Sequence, residues 1–168
     1  GRRISDAGAA YRDIVSRYPQ VRGFRPLGDP DQFRFATNSL RLGSVLVTAG
    51  FSDGFSFTEA ADGRVTLVCP LRRSAQIGCR GQDLSTGSEG RILVTGFDDV
   101  STVYDQKFAG IFVTIDTSDV THALQKWTDG APVSWSDATR ELQTRSGPGA
   151  TLREAIRSCV AMIDSADD

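Results

Sequence analysis

Residues 77–95 read IGCRGQDLSTGSEGRILVT, two apolar runs on either side of a polar stretch, with four glycines among them. Glycine supplies the backbone freedom that tight turns need, so the stretch reads as one antiparallel strand leaving and another returning. The same short period extends in both directions. SLRLGSVLVTAG (39–50) alternates, which places Leu40, Leu42 and Leu46 on one face. GFSFTEA (54–60), RVTLVCPL (64–71), RSAQIGC (73–79), GRILVT (90–95), DVSTVYD (99–105) and FAGIFVTID (108–116) follow, parted by turn sequences such as SDG, ADG and GFDD. About seven short strands at intervals of about ten residues, with no helical period between them, indicate an all-β sandwich or barrel and argue against a parallel α/β sheet.

The flanks carry a different period. In SDAGAAYRDIVSRYPQ, Tyr11, Ile14, Val15 and Tyr18 fall at i, i+3, i+4 and i+7; Ser5 or Asp6 can cap the helix and Pro19 stops it. Residues 20–38 hold two prolines and two glycines and read as an irregular connection with at most one short strand. After Asp116 the helical period returns. TSDVTHALQKWTDG has a Thr117/Ser118 cap, a stripe of Val120, Ala123, Leu124 and Trp127, and Gly130 as a stop. SWSDATRELQTRSGPG suggests a second short helix ended by Gly147-Pro148-Gly149. TLREAIRSCVAMIDSADD opens on Thr151-x-x-Glu154, a capping-box pattern, and aligns Leu152, Ile156, Cys159, Val160 and Ile163 along one face. The predicted order is one helix (1–20), a barrel (36–116) and two or three helices (117–168), a mainly β α+β domain.

The 168 residues suffice for one domain with a sizeable core. No run approaches the roughly 20 apolar residues of a membrane helix, and no secretory pattern opens the chain, so the cytoplasm is the expected location and no membrane contact is expected. Net charge is −2, and arginines such as Arg64, Arg72, Arg73 and Arg80 lie among carboxylates. Without a basic face, this chain by itself is not expected to grip duplex DNA. Cys69, Cys79 and Cys159 contain no C-x-x-C pair and read as buried thiols.

Catalytic machinery is hard to find. Metal sites in barrels of this kind gather several imidazoles and a carboxylate, and this chain has one histidine, His122, on the helix after the last strand. Gly87-Ser88-Glu89-Gly90 has the wrong spacing for a nucleophile elbow and sits in a predicted turn. No phosphate-cradling glycine loop is present. Asp98-Asp99 and Asp29/Asp31 sit at turns, where solvated carboxylates are ordinary. The expectation is a non-enzyme that needs no metal and no cofactor.

SAQIGCRGQDLSTGSEGRILVT together with GFDDVSTVYDQKFAGIFVTIDTSDVTHALQKW resembles the N-terminal sensor domain of AraC-type bacterial transcription regulators. The likeness covers about residues 39–127 and rests on glycine and hydrophobic spacing. It implies a cupin-like jelly roll without metal ligands, a small-molecule effector, a homodimer, and DNA contact only through a DNA-binding domain absent from this chain. The helix at 1–20 departs from better-known members, which begin with a flexible arm.

Aromatic residues concentrate on the barrel: Phe51, Phe55, Phe57, Phe97, Tyr104, Phe108 and Phe112. If Phe108 and Phe112 face inward, Gly110 between them leaves room beneath, and rings around a gap with a few polar groups make a small-molecule pocket. The predicted ligand-binding set is Phe55, Phe57, Arg64, Tyr104, Phe108 and Phe112, with Arg64 among the arginines able to anchor a carboxylate. The alternative is that these rings only fill a core, leaving a dimerisation module without a ligand; a cupin-type enzyme is the distant third reading. The stripe Leu152, Ile156, Cys159, Val160 and Ile163 must bury against something. It packs on the chain's own barrel or on a second copy, and small neighbours such as Ala155 favour the dimer interface.

Overall fold

A computed structural model of the chain describes residues 2–86, 91–96, 98–129, 141–143 and 145–165. Among them, two antiparallel sheets face each other. One sheet sets side by side β1 (Arg2–Ile4), β3 (Phe35–Leu42), β4 (Val45–Ser52), β11 (Phe108–Asp116), β6 (Arg64–Arg72), β9 (Arg91–Thr95) and β12 (Glu141–Gln143). The other sets β2 (Val21–Pro26), β5 (Phe55–Glu59), β10 (Val100–Tyr104), β7 (Ala75–Cys79) and β8 (Gln82–Ser85) in that order. Three helices complete the described chain: α1 (Ala7–Arg17), α2 (Thr117–Trp127) and α3 (Gly147–Ser165). The predicted mainly β barrel, with one helix before it and two after, is the fold observed.

The stretch at 77–95 contributes to both sheets. Ile77–Cys79 and Gln82–Leu84 pair across a two-residue turn at Arg80-Gly81, both with positive φ (49° and 76°), the mirror-image turn whose twist matches a right-twisted hairpin. The chain then enters the other sheet at β9. The alternating run at 39–50 is not one strand but a hairpin: β3 turns at Gly43 (φ 62°) into β4, pairing Leu40 with Val47 and Arg41 with Leu46. Directly opposed residues share a face, so Leu46 lies with Arg41 and away from Leu40, and Leu42 stays exposed. Residues 20–38, read as irregular, supply β2 and the start of β3.

β1 lies at the edge of one sheet and β2 at the edge of the other, so α1, which connects them, crosses the gap between the sheets on that side. Asp6 is its N-cap, its side chain accepting from the Ala9 amide at 2.6 Å. Ala7, Ala10 and Ile14 are buried in the inter-sheet core, and Tyr11 stacks on Phe24 with ring centres 5.6 Å apart. Phe24 reaches that position because β2 bulges between Arg22 and Arg25, where Gly23 takes φ 61°.

The larger sheet is buried on both faces. Phe108, Phe112, Val68 and Leu93 point between the sheets; Val47, Cys69, Ile92, Ile111 and Val113 form a second cluster on the other face, which α3 covers. Double burial explains why ILV and IFV read as continuous apolar runs. α3 starts at Gly147, so Gly-Pro-Gly opens this helix and Thr151-x-x-Glu154 lies inside it. Glu141–Gln143, expected to be helical, pair instead with β9 as an edge strand; the remainder of that predicted helix, like Gly130, Ser88 and Phe97, falls at least in part outside the described residues.

The stripe assigned to a dimer interface meets the chain's own sheet. Ile156 is 5% exposed within the second cluster, and Leu152, Cys159 and Val160 pack against the same residues; the side chain of Ile163 lies outside the described set. Ile156 is therefore corrected to a core residue, because the outer face of the larger sheet supplies the apolar partner that its stripe needs. Replacing Ile156 with Glu is expected to remove several kcal/mol of stability, since a carboxylate would be buried there without a partner. Urea unfolding checks this, and a variant with an unchanged transition would contradict the packing.

Candidate functional site

Between the sheets, under α1, lies a cavity of about 80 Å³. One water needs about 10–15 Å³ by the same kind of measure, so the space holds several waters or a small molecule. Five of the six residues predicted to contact a ligand line it: Phe55, Phe57, Tyr104, Phe108 and Phe112. β5 and β10 present Phe55, Phe57 and Tyr104 from one sheet, and β11 presents Phe108 and Phe112 from the other. Tyr104 joins the two layers, its ring centre 4.5 Å from Phe108 and 5.6 Å from Phe112. Phe55 lies 5.1 Å from Tyr104 and 5.0 Å from Phe24.

Gly110 does not leave the room expected of it. A Cβ there would come within 2.6 Å of the Phe108 ring, so the glycine accommodates that ring, and the open space lies elsewhere between the layers. A larger gap of about 120 Å³ occurs between α3 and the outer sheet face, beside Arg91, Arg153 and Arg157. The inter-sheet cavity is the better candidate because rings and polar groups from both sheets and from α1 converge on it.

Arg64, the sixth predicted residue, is not on the cavity wall. Its guanidinium sits 5.9 Å from the Tyr18 ring centre and donates to Asp62 (2.6 Å) and to the Gln20 carbonyl oxygen Oε1 (2.6 Å). Gln20 in turn donates to Glu59 Oε1 at 2.9 Å. Arg64 thus acts through Gln20 on a wall residue rather than on a ligand.

Glu59 and the residues of α1 are what sequence reasoning missed. Glu59 follows Phe55 and Phe57 at two-residue steps, so strand periodicity carries it onto the inward face. The signal was an acid in phase with two phenylalanines. Burial pushes its carboxyl above the usual range, aided by Asp62 and opposed by the Gln20 hydrogen bond and by Arg64. The Tyr104 hydroxyl is also pushed well above an ordinary phenol, first by burial, then by the charge of Glu59 and by Tyr18. From α1, Asp13, Ile14 and Arg17, with the C-cap Tyr18, close the cavity. Arg17 is bonded to the buried Asp13, to Thr37 at 2.8 Å and to Ser39 at 3.0 Å, which ties the helix to β3. Tyr18 reaches Thr48 of β4 at 3.4 Å.

Other candidates fall away from this space. His122 is exposed on α2. Cys69 is buried under α3, and desolvation pushes its thiol up to about 12, which suits packing rather than nucleophilic attack. Among the described residues, no three His, Cys, Asp or Glu side chains cluster as metal ligands would.

Set against solved structures, the chain superposes on the AraC-like transcriptional activator CuxR with a TM-score of 0.59 at 12% identity, over 76% of this chain. The fold is a cupin-like jelly roll, shared with an AraC-like activator. The alignment takes in 51% of CuxR, about half of its length. Matches at lower TM-scores are the Clostridium difficile EutQ protein (TM-score 0.41, 12% identity, 55% of this chain and 70% of that one) and the Schizosaccharomyces pombe Cnp3 cupin domain (0.41, 10%, 63% and 76%). No protein-family model matches the sequence, and no curated protein matches it significantly.

The buried carboxyl of this cupin-like barrel has a stability consequence. A raised folded pKa means that the native state binds the proton more tightly than the unfolded chain. The favourable contribution of protonated Glu59 is complete below the unfolded value of about 4.5 and is lost as pH rises through the folded value. Glu59→Gln keeps an acceptor for Gln20 and cannot ionise. The variant is expected to match the parent near about pH 4 and to exceed it in stability by about pH 8. Urea unfolding across that range measures the difference; a variant uniformly less stable than the parent would contradict the burial argument.

Proposed function

We propose that this chain is the effector-sensing domain of an AraC-type transcription regulator, working in the cytoplasm as part of a homodimer. Its barrel takes up a small, partly apolar molecule, and DNA is contacted through a separate DNA-binding domain. The observation that carries this reading is the cavity itself: rings of both sheets surround it, Glu59 and Tyr104 supply polar groups in it, and α1 covers it. The likeness in fold to an AraC-like activator supports the regulatory role. Signal transmission follows from the cover. A molecule between the sheets lies against Ile14 and Tyr18, so its presence changes the seating of α1, which Arg17 and the following Tyr18 tie to β3 and β4 by side-chain hydrogen bonds. The reading is of a binding domain rather than an enzyme: on the wall Asp13 is committed to Arg17, and Glu59 accepts one hydrogen bond from the neutral amide of Gln20, which leaves its charge for a ligand to meet.

A ligand that binds only the native state stabilises it by RT ln(1 + [L]/Kd), about 2.7 kcal/mol at a hundred times Kd. A thermal-shift screen of small neutral, cationic and anionic compounds is expected to return hits that disappear in Thr102→Leu. Thr102 is 2% exposed on the cavity wall, and the larger side chain intrudes on the space. A screen without hits, or hits indifferent to Thr102→Leu, would leave a dimerisation module that binds nothing between its sheets.

A further inference from the structure

The charges around the cavity do not cancel. Among the described residues Arg17 is the cation on the wall, and Asp13 is bonded to it. Arg64, behind the wall, is bonded to Asp62. Glu59 is left with the neutral amide of Gln20 as its hydrogen-bond donor, and no hydrogen bond to its second oxygen is found among the described residues. Near it the Tyr104 hydroxyl, on a residue 4% exposed, likewise has no hydrogen bond among the described residues, and the two groups interact electrostatically. Beside this acid stand the rings of Phe55, Phe57, Phe108 and Phe112. The face of an aromatic ring is negative, so several rings around one space favour a cation, most of all when a carboxylate meets its charge. A carboxylate ligand would face Glu59 with like charge and would have to break Arg17 from Asp13 to find a partner.

We propose that the barrel cavity binds a small organic cation, an amine or quaternary ammonium, with its charge against Glu59 and its carbons against the rings of Phe55, Phe57, Tyr104 and Phe108. The inference rests on the reading of the barrel as a sensor and names the class of molecule sensed. It replaces the carboxylate partner that Arg64 suggested from sequence, since that arginine lies outside the cavity.

Three probes of one shape and different charge test it: choline, its neutral isostere 3,3-dimethylbutan-1-ol, and the anion 3,3-dimethylbutanoate. Calorimetric titration into the protein at about pH 8, where Glu59 ionises most readily, is expected to rank choline about tenfold tighter than the alcohol, with the anion weakest. Glu59→Gln is expected to cost choline about tenfold and to leave the alcohol unchanged, with Glu59→Asp falling between. The ranking on the unaltered protein stands even if a variant fails to fold. The proposal is overturned if the alcohol or the anion binds as tightly as choline, if choline is indifferent to Glu59→Gln, or if none of the three saturates. Binding by the alcohol without preference for choline removes only the cation and keeps the sensor. Failure of every compound in the wider screen removes both.

Discussion

The aromatic chain that joins the two sheets sets the terms for everything else in this structure. Tyr104 and Phe108 meet across the layers at 4.5 Å, and Phe55 contacts Phe24, Phe35, Phe57 and Tyr104 around one centre. Rings are stiff, with two side-chain torsions each, and pairs at these separations gain about 0.5–1.5 kcal/mol beyond their burial. They hold the layers together and also stop them from closing fully. Where rings meet, the interior is filled; beside Tyr104 and Phe112, where they cannot interleave further, the space persists.

A barrel with an opening between its layers needs a cover, and α1 is built as one. Its apolar residues Ala10 and Ile14 complete the core, while Arg17 and Tyr18 fasten it to β3 and β4 by hydrogen bonds. Bonds between partly buried polar groups contribute modestly, of order 1 kcal/mol each, and can be exchanged for water at similar cost. The cover is thus apolar where it must be stable and polar where it can be released. The charge pattern agrees with this: each cation near the cavity has an acid of its own, and Glu59 is the acid left facing the interior.

The barrel was legible because strand alternation and glycine turns are local. Alternation in FAGIFVTID puts Phe108 and Phe112 on one face, and five of six proposed contacts line the cavity. What the sequence hid was nonlocal or doubly buried. The β3–β4 hairpin has its turn at Gly43-Ser44, within a run that alternates straight through it, so phase alone did not reveal the reversal. The stripe on α3 fits either a second copy or a sheet, and the choice depends on the outer face of β11 and β6, whose apolar runs do not say which layer each residue faces. Arg64 looked like an anchor because it alternates with apolar neighbours. Its side chain turns instead toward Asp62 and Gln20, partners near the chain's bends that periodicity cannot supply.

The central claim is that the space between the sheets is open and can be occupied. Xenon is small, apolar and visible by its scattering, and apolar cavities of this order take it up. Diffraction from crystals under xenon pressure is predicted to place an atom between the two layers, against the rings of Tyr104 and Phe112. A barrel interior filled by side chains, with xenon absent or bound only at the gap beneath α3, would contradict the account.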